Sequence, residues 1–217
     1  MTVVGFDLDG TLYDACDLTR SALNVVLERQ GYASISVQEY RQLFQSTDWK
    51  KFCLDCGVKE KDTQIVIEGF VALFASYDHP LLIPGAREVL VSVCQRVASE
   101  NVYFITQEPR DRVRARFTRD NLMDHFHKVH NPFEGKAREI HHVASRHPND
   151  AFVYFGDIVS DGMACARARE LGAENVQFCA VGHGYAFNTS ERLREFVAAN
   201  TGFASMIESL DEVVRLL

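Results

Sequence analysis

Two aspartates near the amino terminus carry the strongest chemical signal in this sequence. The apolar residues 2–6 lead into Asp7-Leu8-Asp9-Gly10-Thr11-Leu12. Side chains alternate along a strand, so Asp7 and Asp9 should leave the carboxyl end of a buried strand on the same side. Two like charges this close repel each other, and burying them uncompensated is costly. A divalent cation relieves that repulsion, and Mg²⁺ takes oxygen ligands from one or two carboxylates and a substrate phosphate.

Two plainer interpretations compete with a magnesium site. Acidic pairs near strand ends are often solvated turn residues. The pattern D-x-D-G also resembles the start of an EF-hand calcium loop, which requires Gly at its sixth position and Glu at its twelfth. Counted from Asp7, those positions hold Leu12 and Leu18, so the calcium loop is excluded. A buried strand that leads directly into D-x-D-G-T-L is more specific than the acidic pair alone.

Length and composition bound the class of protein. The 217 residues can bury a substantial core, and 47% apolar and 24% charged residues are ordinary for a soluble globular protein. A net charge of −7 argues against nonspecific nucleic-acid binding, which needs a basic surface. We find no secretory signal and no apolar stretch long enough to span a bilayer. Six scattered cysteines indicate thiols in a reducing cytosol. We therefore expect a cytoplasmic protein without a membrane or nucleic-acid partner.

Apolar periodicity divides the chain into two parts. Helical spacing marks residues 18–26, 67–74 and 86–97, and the apolar face of the second of these helices comprises Ile67, Phe70, Val71 and Phe74. Apolar runs typical of buried strands occupy residues 102–105, 151–155 and 176–181. Helices and strands alternate from residue 84 onward, which predicts βαβ units and a sheet covered on both faces. We predict an α/β fold with a Rossmann-like parallel sheet formed by residues 1–14 and 82–217, and an inserted α-helical cap at residues 15–81.

The residues that follow the predicted strands are the candidate site, because ligands of open α/β sheets bind beyond the carboxyl ends of the strands. Thr106 follows residues 102–105, and Asp157 follows residues 151–155 with Asp161 four positions later. Lys136 stands at the start of a predicted helix. Each has a plain structural alternative: a turn residue, a solvated lysine or a helix N-cap. The fold nevertheless brings all of them to one edge of one sheet, which favours a common site.

These motifs, in this order, resemble those of a known family. The segment 7–11, Thr106, Lys136 and the segment 156–161 are similar to the four motifs of the haloacid dehalogenase-like hydrolases, and the spacing between them suits that family. The helical segment after the first motif is similar to the cap of phosphoglycolate phosphatase-like and β-phosphoglucomutase-like members. The segment 84–90 is similar to the return of such chains from cap to core.

The resemblance implies distinct roles for the acidic residues. Asp7 would attack phosphorus to give an aspartyl-phosphate, and Asp9 would act as general acid and base. Asp9 separates phosphate-ester chemistry from dehalogenation, because dehalogenases of this family lack an acid at that position. Mg²⁺ would be held by Asp7, Asp157 and the backbone carbonyl of Asp9. Asp161 would ligate the metal or orient its waters.

The remaining motif residues would bind phosphate. The resemblance implies that Thr106 donates a hydrogen bond to a phosphoryl oxygen and that Lys136 neutralises Asp7 and the transferring group. The backbone of Leu8 and the amide of Gln107 are further candidate phosphate contacts. We predict a Mg²⁺-dependent phosphatase that acts on a small phosphorylated metabolite, with the oligomeric state left open. A β-phosphoglucomutase-like phosphomutase and a noncatalytic phosphate-ligand-binding module are the alternatives.

Three other features are open to two interpretations each. The CxxC at residues 53–56 lacks a second ligand pair, so we interpret it as two cysteines one helical turn apart rather than as a zinc site. In the segment 46–51, Trp49 stands beside two lysines and either faces a phosphorylated ligand or anchors a hydrophobic cluster, and we favour the anchor. His183, between two glycines, either contacts substrate or completes a loop.

Overall fold

Six parallel strands form the centre of the computed structural model, which describes residues 1–44, 48–77, 79–131 and 135–217. The sheet order is β3-β2-β1-β4-β5-β6, and each neighbouring pair runs parallel. The prediction of an α/β fold with a Rossmann-like parallel sheet is therefore confirmed. The strands are β1 (Thr2–Phe6), β2 (Val102–Ile105), β3 (Val129–His130), β4 (Ala151–Gly156), β5 (Val176–Val181) and β6 (Ala204–Ile207).

Helices surround this sheet. The three helices and three later strands predicted from apolar periodicity are all present, but β3 and β6 were missed. β3 has only two residues, and β6 is a partly exposed edge strand, so neither shows a run of buried apolar residues. Among the described residues the helices are α1 (Cys16–Arg29), α2 (Val37–Leu43), α3 (Trp49–Asp55), α4 (Thr63–Ala75), α5 (Ala86–Val97), α6 (Arg110–Arg119), α7 (Lys136–Ser145), α8 (Val159–Glu170), α9 (Ser190–Ala199) and α10 (Asp211–Leu216).

The sheet buries a hydrophobic layer on each face. Successive residues of β1 point to opposite faces, with Val4 and Phe6 in one layer and Val3 in the other. Helices α5, α6 and α10 cover the first layer, and α7, α8 and α9 cover the second. Since both faces are covered, the strands read as continuous apolar runs, which is why most of them could be recognised in the sequence.

The strand order reverses beside β1, and this reversal creates the crevice in which ligands of such sheets bind. β1 lies between β2 and β4, and Phe6 pairs with Phe104 on one side and Phe155 on the other. The chain therefore emerges from three adjacent strands at one edge. The residues that follow these strands include Asp7, Thr106 and Asp157, as the sequence predicts.

The part of the chain that contains helices α1–α4 is called the helical segment below. The chain enters and leaves this segment at one point beside the sheet. Tyr13 and Leu82 form an antiparallel bridge, and the Asp14 N–H donates to the Leu81 carbonyl oxygen at 2.9 Å. The segment has its own hydrophobic cluster, which also includes Ile158 and Phe187 from the α/β part. The apolar periodicity places Val71 on the buried face of α4, and this prediction is wrong: the residue is 59% exposed.

All six cysteines are free thiols, and Cys53 lies in α3, with Cys56 directly after that helix. No helix in the described part of the chain combines the length and the hydropathy that a membrane span requires. Lys50 and Lys51 form surface ion pairs with Glu60 and Asp55. The neighbouring residues 46 and 47 lie outside the described ranges.

Candidate active site

A tight turn after β1 sets the geometry of the site. The backbone N–H groups of residues 11–13 all donate to the Leu8 carbonyl oxygen, at 3.2, 2.8 and 2.9 Å. Gly10 has a φ of +81°, which L side chains rarely adopt, and a Cβ at this position would collide with the Asp157 carboxylate. A glycine is thus required both by the backbone conformation and by the close approach of the Asp157 carboxylate.

Three buried carboxylates meet beyond this turn. One oxygen from each of Asp7, Asp157 and Asp161 lies within 4.8 Å of the others. Burial raises the pKa of Asp7 to about 7, and the charges of Asp161 and Asp9 act in the same direction against the opposing charge of Lys136. Burial likewise raises the pKa of Asp157 well above its usual range. Gly156 makes room for the cluster, because a Cβ there would collide with the Asp161 carboxylate.

Lys136 is the cation of this cluster. It is the first residue of α7, and its Nζ lies 2.6 Å from Asp161 Oδ1 and 3.2 Å from Asp7 Oδ2. Burial disfavours the ammonium, but the neighbouring Asp161 and Asp7 carboxylates raise the pKa of Lys136 above its ordinary value. The lysine is therefore charged at neutral pH and stands beside Asp7.

Hydrogen bonds hold Asp157 from two sides. Its Oδ1 accepts from the Thr11 hydroxyl at 3.1 Å, and its Oδ2 accepts from the Phe187 N–H at 2.6 Å. These bonds connect the turn after β1, the end of β4 and the loop after β5. Asp157 is fully buried, so its carboxylate has a fixed position relative to Asp7.

The acidic cluster fits a divalent cation. Three buried carboxylates are compensated by one ammonium among the described residues, and Asp161 Oδ2 has no hydrogen-bond partner there. Buried carboxylates that lack sufficient counter-charge are paired or coordinate metals in stable proteins. An all-oxygen donor set of this kind suits a hard cation such as Mg²⁺.

Asp9 does not join this cluster, because its carboxylate is engaged by Arg116. Arg116 lies on α6 and is fully shielded from solvent, and it pairs with Asp9 through one nitrogen and with Glu108 through another, the latter at 2.8 Å. The Asp9 side chain is still 24% exposed. Arg116 was missed at the sequence level. The available signal was its position three residues after Val113 and one before Phe117, on the buried face of an amphipathic helix.

Thr106 and Gln107 follow β2 at the same edge. The Thr106 side chain is buried, and its Oγ1 accepts a hydrogen bond from the Glu108 N–H at 3.1 Å, which leaves the hydroxyl proton available for a ligand. Gln107 is exposed. The side chain of Leu8 is fully buried, so only its backbone is placed to contact a ligand.

A cavity of about 450 Å³ opens over these residues. The predicted residues Asp7, Asp9, Thr106, Gln107 and Lys136 line it, whereas Asp157 and Asp161 are not among the described lining residues. The rest of the wall is supplied mostly by the helical segment and includes a group of aromatic residues. Of these, the sequence raises only Trp49 as a ligand contact, and there we favour a hydrophobic anchor; Trp49 in fact lines the cavity. The other lining residues are Thr19, Phe44, Trp49, Phe70, Phe74, Glu108, Ile158 and Phe187.

His183 completes a loop at this edge. Its Nε2 donates to the Thr11 carbonyl oxygen, and its Nδ1 accepts from the Tyr185 N–H, both at 3.2 Å. His183 is not among the described residues that line the cavity. The structure therefore favours the loop interpretation over direct contact with a ligand.

Comparisons with known proteins agree with this arrangement. A family model described as haloacid dehalogenase-like hydrolase matches residues 4–173. No curated protein matches the chain. A hydrolase of the haloacid dehalogenase-like family from Streptococcus pneumoniae has a similar structure, with a TM-score of 0.76, 18% identity, and coverage of 100% of this chain and 98% of that one.

Two further solved structures share the fold. A predicted phosphatase from Clostridium acetobutylicum has a TM-score of 0.71 and 17% identity, covering 98% of this chain and 96% of its own. A predicted phosphoglycolate phosphatase from Haemophilus somnus has a TM-score of 0.72 and 14% identity, covering 99% and 96%. At such identities these likenesses establish a common architecture over nearly the whole chain.

Proposed function

The chain belongs to the haloacid dehalogenase-like hydrolases, and we propose that it is a Mg²⁺-dependent phosphatase that hydrolyses a small phosphorylated metabolite through an aspartyl-phosphate. One observation carries the proposal: the Asp7 carboxylate lines the cavity and lies 3.2 Å from the Lys136 ammonium, beside the Asp157 and Asp161 carboxylates. The phosphatase descriptions of the structures from Clostridium acetobutylicum and Haemophilus somnus agree with it.

The first step is attack by an Asp7 oxygen on phosphorus. A bond forms between Asp7 and phosphorus while the bond from phosphorus to the ester oxygen breaks, and Asp9 donates a proton to the leaving alkoxide. Lys136 neutralises charge on Asp7 and the transferring group, and the Thr106 hydroxyl donates a hydrogen bond to a phosphoryl oxygen; charge stabilisation and positioning are the main requirements of phosphoryl transfer. The backbone of Leu8 and the amide of Gln107 complete the phosphate contacts.

The second step releases inorganic phosphate. Water attacks the aspartyl-phosphate, Asp9 accepts a proton from that water, and the bond between phosphorus and Asp7 breaks. Asp9 thus gives and takes one proton in each cycle. Its partial exposure to the cavity allows both transfers, while Arg116 holds the carboxylate in place.

The metal would be held by Asp7, Asp157 and the Asp9 backbone carbonyl, with Asp161 as a further ligand or as a partner of the metal's waters. When bound, Mg²⁺ supplies positive charge that stabilises the ionised form of Asp7 and the charge on the transferring phosphoryl group. Without such a charge, burial favours the protonated form of Asp7. The bound cation would therefore stabilise the ionised carboxylates that hold it.

The helical segment would serve as a cap, with residues 15–81 inserted in the core formed by residues 1–14 and 82–217. It contributes Phe44, Trp49, Phe70 and Phe74 to the cavity and packs against the core through Phe187. A cover of this kind excludes bulk water from the phosphoryl group and contacts the leaving group. The six free thiols support a cytoplasmic location.

Phosphate release from single phosphomonoesters tests the proposal. Wild type should release inorganic phosphate with Mg²⁺ and lose this activity in EDTA, whereas Asp7→Asn should show none. Asp17→Asn, a matched change of an exposed carboxylate on α1, should behave as wild type. Equal activity of wild type and Asp7→Asn would exclude Asp7 as the nucleophile. Conversion of a sugar phosphate to its isomer without phosphate release would indicate a mutase, and binding without turnover a noncatalytic module.

A further inference from the structure

We propose that the alcohol part of the substrate is apolar and uncharged and presents a flat face such as an aromatic ring. This inference rests on the proposed function, because it concerns the group that leaves from the phosphorus held at Asp7. It depends on the chemistry of the cavity wall that faces the acidic cluster. Three features of the described part of that wall support it: its aromatic surface, its lack of unpaired cations and its shortage of hydrogen-bonding groups.

The wall is a continuous aromatic surface. The rings of Trp49 and Phe70 lie 4.5 Å apart between centroids, and Phe70 stacks on Phe74 at 5.4 Å. On the other side, Phe44 contacts Trp49 at 5.9 Å and Phe187 of the core at 5.0 Å. Trp49 and Phe74 remain partly exposed, so their rings are accessible to a ligand, while the Arg112 guanidinium covers part of the Phe74 ring at 4.9 Å from its centroid. Aromatic rings gain free energy beyond area burial when they stack or meet edge to face.

The described lining residues offer no unpaired cation to an anionic leaving group. Among the described residues that line the cavity, Lys136 is the one base, and it is paired with Asp7 and Asp161. The nearby Arg112 and Arg116 are both paired with Glu108, which also lines the cavity. The undescribed residues 45–47, 78 and 132–134 carry no basic side chain in the sequence. A carboxylate or a second phosphate here would meet Glu108 without a free cation, at a large desolvation cost.

The described part of the wall also offers few partners to a polyhydroxylated leaving group. Thr19 is the hydroxyl residue among the described lining residues of the helical segment, and its Oγ1 already donates to the Ala15 carbonyl oxygen at 2.6 Å. Sugar hydroxyls that lose water without gaining hydrogen bonds lower affinity. The cavity volume of about 450 Å³ lies in the range of small-molecule sites and accommodates a phosphate and a ring.

Four primary alkyl phosphates test this inference: 2-phenylethyl phosphate, ethyl phosphate, glucose 6-phosphate and phosphoglycolate. In each ester the oxygen that leaves from phosphorus is bonded to a primary carbon, so differences in rate report on the rest of the leaving group. We expect kcat/KM for 2-phenylethyl phosphate to exceed that for each of the other three esters by about tenfold. This factor corresponds to the free energy gained when one ring is partly buried. Equal or faster hydrolysis of phosphoglycolate or glucose 6-phosphate would overturn the inference and leave the proposed function intact.

A pair of substitutions on α4 locates the effect. Phe74→Ala should lower kcat/KM for 2-phenylethyl phosphate about tenfold and for ethyl phosphate less than twofold. Val71→Ala removes an apolar side chain from the solvent face of the same helix and should change neither value. If Phe74→Ala unfolds, Phe74→Leu keeps an apolar side chain of more similar size and removes the ring. An equal loss with both esters would contradict a contact with the leaving group.

Binding can be followed by fluorescence, because Trp49 is the single tryptophan of the chain and lines the cavity. The Asp7→Asn variant allows this measurement without turnover. In the Asp7→Asn variant, 2-phenylethyl phosphate should change the Trp49 fluorescence at concentrations at least about tenfold lower than phosphoglycolate does. If wild type hydrolyses none of the four esters, the proposed function fails for these esters, and the titration still decides the preference of the cavity. No difference between the two ligands in the titration would overturn the inference.

Discussion

The buried guanidinium of Arg116 forms an ion pair with the carboxylate of Asp9, 107 positions away in the chain. The same guanidinium donates to Glu108 at 2.8 Å, so one cation compensates two acidic side chains. Arg116 is fully shielded from solvent, whereas Asp9 retains contact with the cavity. The ion pair therefore holds the Asp9 carboxylate, the proposed acid-base group, on its buried side and leaves it accessible from the cavity.

Replacing Arg116 should impair both stability and activity. Arg116→Leu leaves Asp9 without its cation and Glu108 with Arg112 alone, and breaking a buried pair in this way costs about 3–5 kcal/mol. We expect a matching decrease in the free energy of unfolding in urea and a large decrease in kcat. Arg116→Lys retains the charge but not the fork that reaches both acids, so it should be intermediate. Arg114→Leu, an exposed position on the same helix, is the control, and an equal effect there would refute the role of the pair.

Loss of the Lys136 charge should make the fold depend on metal. Lys136→Met leaves three buried carboxylates without their ammonium, so the melting temperature in EDTA should fall. Mg²⁺ should raise the melting temperature of this variant more than that of wild type, because the ion then replaces a missing charge. The value of kcat should fall at least about 100-fold. Lys50→Met, at an exposed ion pair, should leave both quantities unchanged. Equal stabilisation of both proteins by Mg²⁺ would contradict this account.

Gly10 and Gly57 allow the effect of close packing to be separated from backbone strain. Both have a positive φ, +81° and +82°, but a Cβ at Gly10 would collide with Asp157 while a Cβ at Gly57 meets nothing within 4 Å. Gly57→Ala should cost about 1 kcal/mol from the left-handed conformation alone. Gly10→Ala should cost more and should also abolish Mg²⁺-dependent activity. Chemical denaturation of the two variants measures the difference, and equal costs would show that the contact with Asp157 is unimportant.

His183 should make stability fall in mildly acidic solution. Burial lowers the pKa of His183, and the nearby Arg41 lowers it further against the opposing effects of the Thr11 carbonyl oxygen and Asp14. The Tyr185 N–H occupies Nδ1, so protonation there would break a hydrogen bond. A histidine with a depressed folded pKa contributes stability above its unfolded pKa of about 6.5, and this contribution is lost as the pH falls through the folded value.

The pH dependence of unfolding tests the assignment. Between pH 7.5 and 5, the melting temperature of wild type should fall more steeply than that of His183→Gln, which cannot titrate. His142→Gln, the same change at an exposed position, should retain the wild-type slope. Parallel slopes for wild type and His183→Gln would show that His183 is not the group responsible.

Much of the fold was predictable because buried parallel strands leave a strong local pattern. The apolar runs before Asp7, Thr106 and Asp157 each mark a strand that is covered on both faces. The edge strands β3 and β6 were missed because a short or half-exposed strand has no such run. Val71 was misplaced because helical periodicity shows that a face exists but not how wide the buried stripe is.

The sequence by itself determined which carboxylates follow the strands, and hence the acidic edge of the sheet and the family to which the chain belongs. Only the tertiary structure decided that Asp9 pairs with Arg116 rather than with the acidic cluster, and that Phe187 closes an aromatic wall with Phe44 and Trp49. The reason is physical. Strand ends are set by alternation along a few neighbouring residues, whereas these contacts join elements far apart in the chain and depend on how the helices pack against the sheet.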